Sequence, residues 1–275
     1  SLPRDPAFAC DQMQNNHTGD LPVHEFAGGG SWMSDVLRQE YPNLNRPDAF
    51  NQTRDAALRL LQQESATVDV FAPSNTSAGG DLSIRVRVTN ETGHKLPSGY
   101  PEGRRIWLNV KAYNDNNDLI YESGVYDAAS AVLTKDDNIK VYEIKPGLSP
   151  ALAGALGQPT GPSFHFVLSD TVFKDNRIPP RGFTNANFEA IQSPAVAHAY
   201  ADSQYWDETL YVLPPTANFV EAALLYQTTT KEYVEFLRGQ GAMCPVVLRD
   251  DNEPRRVLVE SVHNTRSPFP PGTIT

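Results

Sequence analysis

His94 stands in a Gly/Pro-rich loop, ETGHKLPSGYPEGRR, between two runs whose apolar residues alternate as they do in strands. Neutral imidazole is a good nitrogen donor to a metal. A loop bounded by Gly93 and by Pro97-Ser98-Gly99 would present it at small entropic cost. The alternative is a histidine that braces its own loop by hydrogen bonds. Arg104 and Arg105 follow the turn at Gly103. A guanidinium there can grip a carboxylate with two parallel N–H donors, or pair with Glu102 or a loop carbonyl. His24 lies in VHEF, His17 in Asn-Asn-His-Thr, and His165 between Phe164 and Phe166. His165 is expected on a strand, pointing away from both phenylalanines. Cys10, Met13, His17 and His24 form a loose set of ligands that copper would accept, but their spacing matches no metal signature.

Other chemistry has less support. NDNND at 114–118 lacks the glycine and the distal glutamate of a calcium loop and reads as a hairpin turn. There is no G-x-S-x-G. Cys244-Pro245 precedes apolar residues, as a buried thiol would. The acidic pairs at 136–137 and 250–251 read as solvated loops. No enzyme is expected.

Three longer blocks go further: VTNETGHKLPSGYPEGRRIWLNVKAY at 88–113, SFHFVLSDTVFKDNRIPPRGFTNANFEA at 163–190, and DLPVHEFAGGGSWM at 20–33. Together they resemble the β-rich C-terminal module of bacterial multihaem c-type cytochromes. The resemblance implies that His94 is a candidate axial ligand to a haem held elsewhere, and that His24 and His165 are haem-contacting candidates. It implies too that Arg104 and Arg105 can reach a haem propionate. The plainer readings are a loop brace for His94, a surface residue on the arm for His24 and a core or edge residue for His165.

One departure limits what the resemblance brings with it. Covalent attachment needs C-x-x-C-H, two thiols for the vinyl groups and a histidine for the iron. This chain has Cys10-Asp11-Gln12-Met13-Gln14 at the corresponding place. Met13 replaces the second thiol and Gln14 the ligand, so the attachment site is degenerate. No covalently bound haem is expected; any haem c would be supplied by a partner or by a missing part of the same polypeptide. The expected role is an electron-transfer accessory module, periplasmic or extracellular, whose partner is a c-type cytochrome or an assembly subunit. The alternative is a non-redox structural subunit that kept the scaffold.

The chain of 275 residues carries 23 basic and 33 acidic residues, a net charge of −10. Such a balance argues against nucleic acid and anionic lipid as partners and suits solubility, or an acidic face for a basic redox partner. No apolar run approaches the roughly 20 residues of a membrane span. No signal peptide is visible at Ser1, as expected of a mature chain. Cys10 and Cys244 either pair across a loop on the order of 230 residues, worth about 5 kcal/mol by chain entropy, or remain separate buried thiols.

These residues need elements to hold them. The 22 prolines and 18 glycines favour many turns over long helices. Residues 1–45 read as an irregular arm broken at Gly28-Gly29-Gly30, and a helix starts at Pro47-Asp48 and ends near Ser65. Strands are expected at 67–72, 81–89, 105–113, 119–123, 139–144, 163–168 and 218–227. A short helix follows at 230–238, and the Pro-Phe-Pro-Pro-Gly tail after Ser267 holds no regular structure. The reading is mainly β: an antiparallel β-sandwich at 66–275 with an irregular and helical N-terminal arm at 1–65 and a short C-terminal helix.

Overall fold

The computed structural model describes residues 27–71, 80, 82–98 and 103–240, with the backbone path of Arg4–Asp5, Leu21–Pro22, Gly241 and Val259–Pro268. The chain divides into two compact units, Ser1–Glu64 and Ser65–Thr275.

The first unit holds helices α1 (Met33–Glu40) and α2 (Pro47–Arg59). Proline at the first position of α2 loses no needed hydrogen bond, and Asp48 suits the positive end of the helix. The helix runs on as a wider π turn, Leu60–Glu64, and ends at the expected place. Ala57 and Leu61, four apart, are its buried residues. The arm is less irregular than the sequence suggested: α1 begins three residues after Gly30.

The second unit is built on two antiparallel sheets, and strands dominate it. In the first sheet, β1 (Ala66–Phe71) and β8 (Trp206–Leu213) flank β2 (Leu82–Asn90). In the second, β3 (Arg105–Tyr113) lies between β4 (Leu119–Ser123) and β9 (Phe219–Gln227), and β10 (Val259–Pro268) pairs with the far side of β9. Leu82, Ile84, Val86 and Val88 turn one face of β2 into the core, while Val220, Ala222, Leu224 and Tyr226 do so for β9. The outward face of β2 is held by charge: Glu208 of β8 takes both Arg85 and Arg87, and both guanidiniums lie over the Phe71 ring.

β3 departs from its expected alternation. Trp107 and Asn109 are buried along with Ile106, Leu108 and Val110, because both faces of this central strand are covered. Trp107 donates through its indole N–H to the Gly124 carbonyl. Gly124, at φ +75°, cannot be replaced there, since a Cβ would sit 2.3 Å from the Leu108 carbonyl oxygen. Asp136, expected to be solvated, accepts from the Ser123 hydroxyl and from the Gly124 and Asn138 amides and so closes this corner. Asn114–Asp118 is the expected hairpin turn: Asn114 Oδ1 accepts from the amides of Asn116 and Asp118.

The run at 139–144 splits at Glu143 into β5 (Val141–Tyr142), which pairs with β3, and β6 (Ile144–Leu148), which pairs with β7 (Thr171–Asp175). Residues 163–168 form a loop and a 3-10 turn, Phe166–Leu168, and not a strand. Phe164, His165 and Phe166 all reach Tyr233 or Phe236 of helix α5 (Lys231–Gly241), which alternation would forbid. β8 and the short helices α3 (Pro150–Leu156) and α4 (Asn185–Ala190) were not anticipated.

Candidate functional site

The His94 loop hangs on one buried side chain. Asn90, the last residue of β2, is fully buried. Its amide nitrogen donates to the carbonyls of His94 (2.7 Å), Ile178 (2.9 Å) and Pro179 (3.0 Å). Its amide oxygen accepts from the Thr92 amide and hydroxyl, each at 2.8 Å. Leu96 exchanges backbone hydrogen bonds with Ile178 in both directions, at 2.9 and 3.0 Å. These contacts stitch the loop to 176–181, the segment that carries Pro179-Pro180. His94 itself divides in two. Its backbone is held, but its ring is exposed and makes no hydrogen bond to a described residue.

Beside it lies a charge triad. The Lys95 ammonium is 2.8 Å from Asp175, and Arg177 meets the same carboxylate with Nε and Nη2, both at 2.8 Å. The Lys95 and Asp175 side chains are only 5% and 3% exposed, so these charges exist by mutual support. Burial alone would raise Asp175, but the bonds and charge of Arg177 and then Lys95 outweigh it, and its carboxyl lies below the ordinary range. Burial pulls Lys95 below the ordinary lysine value; Asp175 opposes this and Arg177 adds to it. His94, Lys95, Arg177, Pro180, Phe188 and Ile191 line an open cleft of about 290 Å³.

A polar seam runs on from the triad. The Tyr200 hydroxyl donates to the Asn176 carbonyl, and the His198 ring stands edge-on to Tyr200 at 4.6 Å. His198 Nε2 lies 3.1 Å from Asp207, which also takes the Tyr142 hydroxyl at 2.9 Å and the Lys140 ammonium at 2.7 Å. Asp207 is buried, yet these partners hold it below the ordinary range against the desolvation that would raise it. Tyr142 is pushed well above the ordinary phenol by burial and by the Asp207 charge, so it stays a donor. His198 was missed from sequence. Its partner is nine residues away in an unanticipated strand, and nothing in SPAVAHAYADSQYW marks it.

The other sequence candidates scatter. Arg104 Nη1 donates to the Ser98 carbonyl at 2.5 Å, which is the loop-carbonyl reading. Arg105 is buried on β3, bonded through Nε to Gln227 and through Nη1 to Glu232. His165 packs edge-on against Phe236 at 4.8 Å. His17, His24, Cys10, Met13, Gln14 and Cys244 lie outside the described residues. Among the described residues no group of three His, Cys, Asp or Glu side chains could hold a metal ion, and no helix is long and apolar enough to cross a membrane.

The two buried carboxylates predict how stability responds to acid. The folded-state values of Asp175 and Asp207 both lie below the ordinary 3.8. Their contribution is therefore complete above the unfolded value and is lost as pH falls through the folded one. The urea midpoint is expected to be nearly flat between about pH 7 and 5 and to fall steeply below about pH 4. A midpoint that holds steady through that range would mean that folding does not lower the values of these two carboxyls.

The chain matches no protein-family model and no curated protein. Among solved structures it is similar to a penta-heme cytochrome c552 from Thermochromatium tepidum, with a TM-score of 0.48 and 15% identity over 76% of this chain. The match covers 40% of that chain, so this sequence spans less than half of its length.

Proposed function

We propose that this chain is a non-catalytic accessory module for electron transfer, kin to the multihaem c-type cytochromes and working in the periplasm or outside the cell. It has no covalent haem of its own and offers His94 to a haem carried by a partner. The observation that carries the reading is the division within His94: a backbone fixed through Asn90 and Thr92, and an exposed ring that no described residue engages. A histidine whose task was to brace the loop would spend its ring nitrogens on that loop. Here the backbone carbonyl does the bracing, and the ring is left as a neutral donor that pays little ordering entropy on meeting a ligand.

The ring would serve as a nitrogen ligand to the iron of a haem whose other protein ligand comes from elsewhere. A haem iron, when bound, supplies the one-electron couple. The chain's share is to hold the imidazole in place and to present apolar and cationic groups beside it.

The test uses a c-type haem peptide with one axial position open. Added to the purified protein, it should show a low-spin shift of its Soret band. The shift should disappear in His94→Ala while the circular dichroism stays that of the parent, since the ring supports no packing. Identical spectra with and without the His94 side chain would sink this reading and leave the alternative, a structural subunit with no redox part.

A further inference from the structure

The cleft beneath His94 carries a charge imbalance that the reading above does not use. Two cations, Lys95 and Arg177, share the single carboxylate of Asp175. Arg177 commits Nε and Nη2 to that carboxylate, and its Nη1 has no hydrogen bond to a described residue. The triad thus keeps one positive charge in excess, at the lining of a cleft, in a chain whose net charge is −10. Pro180, Phe188 and Ile191 add apolar surface to the same lining, and Ile191 is 68% exposed. The Lys95 ammonium sits 5.5 Å above the Phe188 ring, so the cationic floor and the aromatic wall meet. Arg181 nearby in sequence adds no free charge, being paired with Glu91.

We propose that this cleft binds a carboxylate carried on an apolar or aromatic frame, with Arg177 meeting the carboxylate and Phe188 and Ile191 covering the frame. A small hydrophilic anion would leave the apolar wall wet, and a neutral aromatic would leave the excess charge unmatched. The inference shares its cleft with the proposed function but does not depend on iron. The carboxylate has two sources, the propionate edge of a porphyrin or a free aromatic acid, and the chemistry is the same for both.

The experiment keeps iron out. 2-Naphthoate is titrated into the protein beside 2-naphthamide, its neutral counterpart, and metal-free mesoporphyrin beside its dimethyl ester. At least one acid should bind at least about tenfold more tightly than its neutral counterpart, and raised salt should weaken it. Mesoporphyrin alone would assign the cleft to a porphyrin edge, naphthoate alone to small aromatic acids, and either supports the proposal. Arg177→Gln should abolish the preference for the acid. Because Arg177 also supports Asp175, Ile191→Asp serves as a second variant: it adds a negative charge at an exposed position on the rim and should repel the acid by a similar factor in a protein of unchanged circular dichroism. His94→Ala should keep it. Equal binding of acid and neutral form, no binding of either acid, or indifference to Ile191→Asp overturns the inference. A Soret shift with the haem peptide alongside no acid binding would remove this proposal and leave the functional reading standing.

Discussion

Replacing Asp175 with alanine is expected to cost about 3–5 kcal/mol of stability, the usual penalty for stranding a buried charge. The substitution strands two. Lys95 has a side chain 5% exposed, and its ammonium is tied to the carbonyls of Ser193 and Pro194, so it cannot swing out to water. Arg177 would lose both guanidinium contacts to the carboxylate and the bond that its backbone amide makes to it. Burial already lowers the Lys95 value against the help of Asp175, and without Asp175 the ammonium loses its counter-charge and keeps only neutral carbonyl acceptors. A lysine whose folded-state pKa lies below its unfolded one penalises folding at any pH where the unfolded chain keeps the proton, and the penalty shrinks as pH rises past the folded value. The deficit of Asp175→Ala should therefore be largest near neutrality and smaller at about pH 9.5. Adding Lys95→Met to Asp175→Leu should recover much of the loss, because a buried pair replaced by apolar groups is often neutral. Urea melts of these three proteins at two pH values decide it. A deficit independent of pH and unchanged by the Lys95 substitution would show that Asp175 acts by shape and not by charge.

The triad also marks where sequence reading stops. The core strands were legible because an alternating run such as Leu82, Ile84, Val86, Val88 has one physical solution, a sheet with one face covered. The α2 start was legible from Pro47 and Asp48 for an equally local reason. β8 was not. Asp207 and Glu208 near its start look like a polar loop, yet Asp207 is buried because Lys140, Tyr142 and His198 converge on it from distant segments. The phenylalanines of 163–168 mimic a strand, but the ring cluster they join is completed by Tyr233 and Phe236, some seventy residues on. His94 was singled out by its loop, and the structure places it at a cleft. That Lys95, next to it, is buried against Asp175 could not be read from a lysine between a histidine and a leucine. A single sequence shows which positions alternate; it does not show which charges meet.

Asn90→Ala should then be the substitution that tells the two halves of His94 apart. Asn90 is fully buried and serves three carbonyls and two Thr92 donors with one amide. Alanine leaves the Pro179 carbonyl unserved by that amide, while the Ile178 carbonyl keeps the Leu96 N–H, and each unsatisfied buried group costs about 1–3 kcal/mol. With the Thr92 donors also losing their acceptor, a total of about 2–4 kcal/mol is expected, a large part of the roughly 5–15 kcal/mol that holds a domain folded. Asn90→Asp should be no better: it keeps the acceptor for Thr92 but sets a carboxylate oxygen against three carbonyl oxygens. The functional consequence follows from the same bonds. The His94 carbonyl is released along with the others, so the ring remains in the chain but is no longer held. Affinity for the haem peptide should fall in Asn90→Ala because the loop must be ordered on binding. His94→Ala should do the reverse, removing the spectral shift while changing stability by less than about 0.5 kcal/mol, as expected of an exposed side chain without a packing role. Thermal melts and haem-peptide titrations on the two variants make the comparison. If Asn90→Ala melts like the parent, the amide does not anchor the loop. If it melts early yet binds the peptide as tightly as the parent, the His94 ring needs no prior ordering and the entropic argument for it fails.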